Sequence, residues 1–183
     1  GEFAQKIGEE DRFLLFFAGH GEAQGEGAQA MGYLLTHEAE RDFNGIRMET
    51  LQSELRNRIK AKHKLYIADS CYSGLALSSR GAPVDVTLPD YLSHIADREV
   101  QLAMTAGGSG DQAHEYEGHG LFTYFLLQGL EGAADGNQDG VITTAELWPY
   151  LQENVSLTAQ RQGWSQTPQY GREGEGEFLF FVE

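Results

Sequence analysis

The chain has 183 residues, 40% of them apolar, which is enough for one domain with its own core and too few for two of ordinary size. A formal charge of -15 argues against nucleic acid or an anionic membrane as partner, because both require a basic face; an acidic surface suits a basic peptide. The single cysteine excludes a disulfide framework or a cysteine zinc site within the chain, so Cys71 is either inert packing or a reactive thiol.

No stretch reaches the roughly 18 apolar residues of a membrane span, and nothing resembles a signal peptide, so a reducing cytoplasm is the simplest expectation. The chain opens on Gly1-Glu2-Phe3 without an initiator Met, so its start reads as either an artificial or a processing boundary.

Phe13-Leu14-Leu15-Phe16-Phe17-Ala18 is a short continuous apolar run that stops at Gly19-His20-Gly21, the pattern of a buried strand ending in a sharp turn. Leu65-Tyr66-Ile67-Ala68 repeats that design and ends at Asp69-Ser70-Cys71. Between them, residues 48–60 place Leu51, Leu55 and Ile59 on one helical face. Strand, helix, strand predicts a parallel crossover. A third run, Val100-Gln101-Leu102-Ala103-Met104-Thr105, ends in a polar, glycine-rich stretch over residues 106–111, so three strand ends are expected to share one edge of a sheet. In open parallel sheets the ligand crevice lies at that edge, which puts His20, Cys71 and Asp111 where chemistry is expected. Residues 121–130 and 146–155 read as helices and residues 178–182 as a last strand. Residues 75–89 read as a long mobile loop beside Cys71.

A cysteine peptidase needs a thiolate, a histidine that generates it and later protonates the leaving amine, and backbone donors for the tetrahedral oxyanion. Gly19 and Gly21 bracket His20, while Ser70, Ser73 and Gly74 leave little bulk around Cys71, so the amides of Gly21 and Cys71 are expected to form the oxyanion hole. Taken singly, Cys71 reads as a small buried hydrophobe and His20 as a strand-end histidine with an ordinary hydrogen bond. Their joint placement at the ends of consecutive parallel strands favours catalysis. His119, between Gly118 and Gly120, is the rival base, but it follows the polar Glu115-Tyr116-Glu117 and reads as a helix start.

Phe17-Ala18-Gly19-His20-Gly21 and Asp69-Ser70-Cys71-Tyr72-Ser73-Gly74 resemble the two signature blocks of caspase-like cysteine peptidases, most closely the metacaspases and their bacterial relatives. The separation of 51 residues between His20 and Cys71 agrees with the caspase order. Weaker matches are Gly120-Leu121-Phe122-Thr123-Tyr124 and Gln166-Thr167-Pro168-Gln169. The resemblance implies one caspase-hemoglobinase-like α/β domain over residues 1–183, three layers with a mostly parallel sheet flanked by helices. It also implies a first strand and helix that this chain lacks, supplied, if at all, by a separate N-terminal chain.

In the family the residue two before the nucleophile lines the pocket for the side chain preceding the scissile bond. Here that is Asp69, where caspases that cut after aspartate carry Gln, so the resemblance implies cleavage after Arg, then Lys, in a peptide or protein substrate. Capping of a turn or helix is the alternative role for Asp69. Asp111 could supplement the pocket or sit in a solvated turn, and Arg80 would suit self-cleavage or be an ordinary surface residue.

Residues 135–146 fit an EF-hand loop at its acidic, glycine and final glutamate positions. Asp135, Asn137, Asp139 and Glu146 would give side-chain oxygens, Val141 its carbonyl and Thr143 a direct or water-bridged ligand. A solvated turn capping the next helix is the alternative. Calcium is therefore expected and no organic cofactor. Glu38, Glu40 and Asp42 carry a weaker hint of a second acidic site.

Overall fold

The computed structural model describes residues 2–25, 31–36, 45–70, 95–108 and 111–182. In chain order the elements are β1 (Arg12–Ala18), β2 (Gly21–Gln24), β3 (Met31–Leu34), β4 (Ile46–Arg47), α1 (Met48–Arg58), β5 (His63–Asp69), β6 (Val100–Thr105), β7 (Glu115–Tyr116), β8 (His119–Gly120), α2 (Leu121–Gln128), β9 (Val141–Thr143), α3 (Thr144–Gln162), β10 (Gln169–Gly174) and β11 (Leu179–Phe181).

The central sheet has the order β1-β5-β6-β10, with β1, β5 and β6 parallel and β10 antiparallel to β6. The three apolar runs are therefore the parallel strands, and their carboxyl ends lie at one edge, as the sequence predicts. β5 and β6 read as unbroken apolar runs because both of their faces are buried. On one face Leu65, Ile67, Leu102 and Met104 pack with Phe122 and Leu126 of α2 and Leu147, Leu151 and Val155 of α3. On the other, Tyr66, Ala68 and Ala103 pack with Met48 and Leu55 of α1. Helix, sheet and helix give a three-layer α/β fold.

Two predicted elements differ in detail. The helix expected over 146–155 runs from Thr144 to Gln162, with Thr143 and Glu146 forming a reciprocal capping box at its start and Gly163, at φ 75°, ending it. The last strand joins β9 in a two-stranded sheet of its own and not the central sheet. Strands β2, β3 and β4 form a further small antiparallel sheet, and β7 and β8 a two-rung hairpin. No helix among the described residues is long and apolar enough to cross a membrane.

Candidate active site

The β1–β5 register determines what can meet at the sheet edge. Arg12 pairs with His63 and Ala18 with Asp69, a constant offset of 51 residues, which is also the separation of His20 from Cys71. The Gly19 N–H donates to the Asp69 carbonyl at 3.1 Å, extending the ladder one rung towards His20. His20 is exposed at the end of β1. Cys71 and Arg80 lie outside the described residues, as do Glu38, Glu40 and Asp42 and the loop expected over residues 75–89.

The His20 carbonyl accepts the Leu35 N–H at 2.8 Å, and Gly21 stands opposite Leu34 on the next rung of the β2–β3 hairpin. Antiparallel rungs alternate between hydrogen-bonded and non-bonded pairs, so the Gly21 N–H turns away from β3.

Asp69 is buried at the last position of β5. Its Oδ2 accepts the Thr123 N–H at 3.1 Å and the Thr123 hydroxyl at 2.5 Å. Thr123 is the third residue of α2, whose N-cap is the side-chainless Gly120, so Asp69 caps from β5 the helix that Gly120 cannot cap. Burial pushes the Asp69 carboxyl above its ordinary range and the Thr123 donors pull it back. His119 sits on β8, next to the Gly120 that lies against Asp69.

Asp111 is placed beyond β6 as expected, and its carboxylate is occupied by donors from its own chain. Oδ2 accepts the N–H groups of Gly108 and Thr167, and Oδ1 the Ser165 hydroxyl. It thus ties the β6 exit to the segment after α3, where Gly163 turns the chain and Trp164 stacks on His114 at 4.5 Å. The Gln166 side chain accepts the His114 N–H at 3.2 Å in the same seam.

The acidic loop after α2 is wound tightly. Asp135 accepts from the backbone of Asp139 and Gly140, Asn137 from Asp139, and Asp139 from Val141. Gln138 and Gly140 take positive φ, at 60° and 81°. Glu146 Oε2 accepts both the N–H and the hydroxyl of Thr143. Among the described residues, no group of three or more His, Cys, Asp or Glu side chains is gathered to hold a metal. Val141 and Thr143 lie on β9, whose partner is β11 and not a second such loop.

A cluster the sequence does not announce is the buried Glu177. It pairs with Arg172 at 3.3 Å and accepts from the N–H and hydroxyl of Thr144, the first residue of α3, and from the Phe178 N–H.

Residues 1–178 match the family model of the caspase domain. Among solved structures, the Geobacter sulfurreducens protein GSU0716 superposes with a TM-score of 0.54 at 16% sequence identity, over 96% of this chain and 70% of that one. That likeness is one of fold. No curated protein sequence matches the chain.

Proposed function

The chain belongs to the caspase domain family of cysteine peptidases, and from that premise we propose an endopeptidase that cuts after arginine and less readily after lysine, with His20 and Cys71 as its catalytic pair. Neutral His20 takes the Cys71 thiol proton, and the thiolate adds to the peptide carbonyl. The oxyanion is held by the Gly21 and Cys71 N–H groups. Collapse breaks the C–N bond as His20 gives its proton to the leaving amine, and water then releases the acyl group. The observation that carries this reading is the constant β1–β5 offset of 51 residues, equal to the His20 to Cys71 separation.

Specificity for a basic residue rests on Asp69, a desolvated carboxylate at the same strand edge. Such a group attracts a guanidinium and rejects an acidic side chain. Asp111, with its oxygens already engaged, serves by shaping the adjoining loop, and Arg80 is proposed as a self-processing point. A reducing compartment such as the cytoplasm keeps the one thiol active.

Calcium is proposed as a modulator. The donor set of Asp135, Asn137, Asp139, Val141, Thr143 and Glu146 is oxygen-only and fits a hard cation, provided Glu146 gives up its Thr143 bonds. A bound ion would neutralise acidic charge beside the start of α3. A further strand from a separate chain is proposed along β1, where Leu14 and Phe16 are each 42% exposed and the outer edge has no strand partner among the described residues.

The reading is tested with fluorogenic peptides that differ only in the residue before the scissile bond. Arg should be turned over fastest and Asp not at all. Faster turnover of the Asp peptide would overturn the specificity, and binding of calcium without turnover of any peptide would favour a scaffold role.

A further inference from the structure

We propose that Thr123 and Gly120 are positioning residues for substrate selection, fixing the Asp69 carboxylate in one orientation and thereby setting the preference for a basic side chain. This inference rests on the reading of Asp69 as the group that meets that side chain.

The geometry is specific. Thr123 gives Asp69 Oδ2 two donors from one residue, its N–H at 3.1 Å and its hydroxyl at 2.5 Å, across 54 residues of sequence. An ordinary helix cap needs only a single N–H; the hydroxyl is a second restraint, which holds the carboxylate against rotation. Gly120 supplies the space. A Cβ added there would lie 2.1 Å from Asp69 Oδ2 and 3.1 Å from Oδ1, so any other residue at this N-cap would evict the carboxylate. A serine or aspartate at position 120 would cap α2 locally and leave Asp69 without its place.

A carboxylate already fixed needs no reorganisation when a basic side chain arrives, and with Oδ2 taken by both Thr123 donors, Oδ1 is the oxygen turned to meet it. Thr123 touches neither the scissile bond nor the nucleophile in this scheme. Its effect runs through Asp69.

The experiment measures kcat and KM for two peptides alike except for Arg or Met before the scissile bond. The panel is the unsubstituted chain, Asp69→Asn, Thr123→Val, Thr123→Ala, Thr123→Ser and Gly120→Ala, with thermal melts recorded alongside. Loss of a hydrogen bond to a charged group predicts that Thr123→Val and Thr123→Ala lower the Arg:Met ratio of kcat/KM about tenfold, chiefly through KM for Arg. Thr123→Ser should restore the ratio to within about twofold, and Gly120→Ala should lower it as the threonine variants do. Thr123→Ala retains the backbone donor and is the variant to read if Thr123→Val fails to fold. An Arg:Met ratio that collapses in Asp69→Asn but is unchanged in both Thr123 variants overturns this inference alone. A ratio unaffected by Asp69→Asn overturns the reading of Asp69 beneath it.

Discussion

Ala18 stands opposite Asp69 on the last rung of the parallel β1–β5 pair, and the next backbone bond, from Gly19 to the Asp69 carbonyl, carries the His20 turn alongside the Asp69-Ser70 turn. Parallel strands in register deliver their carboxyl ends together. The proposed base and the proposed specificity residue are therefore fixed to one another by main-chain bonds.

His119 tests that argument, because it also lies near Asp69, one residue from Gly120. We expect His20→Ala to lower kcat on an Arg peptide by at least about a hundredfold, the scale of a lost general base, and His119→Ala to change it by less than about fivefold. Steady-state kinetics on the two variants checks this, and the reverse ranking would reassign the base.

Asp69 also predicts a pH dependence of stability. Burial raises its carboxyl above the ordinary 3.8, so ionisation costs more in the folded chain than in the unfolded one. Its contribution to stability is whole below that value and is lost as pH rises through the raised one. The melting temperature of Asp69→Asn minus that of the unsubstituted chain should therefore grow from about pH 4 upward. A difference that shrinks over that range contradicts the burial argument.

Among the described residues, Glu177 should be the most sensitive charged position outside the site. Its side chain is 6% exposed and that of Arg172 13%, and removing one partner of such a pair leaves a buried charge uncompensated. Glu177→Ala should cost about 3–5 kcal/mol in denaturant unfolding, and Glu177→Gln less, because the amide oxygen still accepts from Thr144 and Phe178. A loss below about 1 kcal/mol for Glu177→Ala would place the pair effectively in solvent.

That pair shows where the sequence stops being legible. Nothing in Gly174-Glu175-Gly176-Glu177 marks a buried charge, yet a Cβ on Gly174 or Gly176 would collide with the backbone of Glu99 or Arg98. The two glycines let the chain press against the start of β6 and carry Glu177 inward to the α3 N-terminus. β10 was equally hidden, because Gln169–Gly174 has no alternating apolar pattern and takes its place by pairing with β6. The parallel strands could be read because burial on both faces leaves an unbroken apolar run. The Asp69–Thr123 bond could not, since 54 residues separate its ends; only the Gly120-Leu121-Phe122-Thr123 similarity marked the helix start that receives it.

For the acidic loop, calorimetric titration with calcium should give saturable heat that Glu146→Gln lowers in affinity at least about tenfold, as removal of the last EF-hand ligand would. Equal heats for the two proteins, or none, would remove the loop as a calcium site.

The central claim is tested most directly by turnover of a fluorogenic Arg peptide by the unsubstituted chain and by Cys71→Ala, with and without calcium. The account predicts turnover that disappears in Cys71→Ala. Equal turnover in the two proteins, or none from a chain shown to be folded, would contradict it.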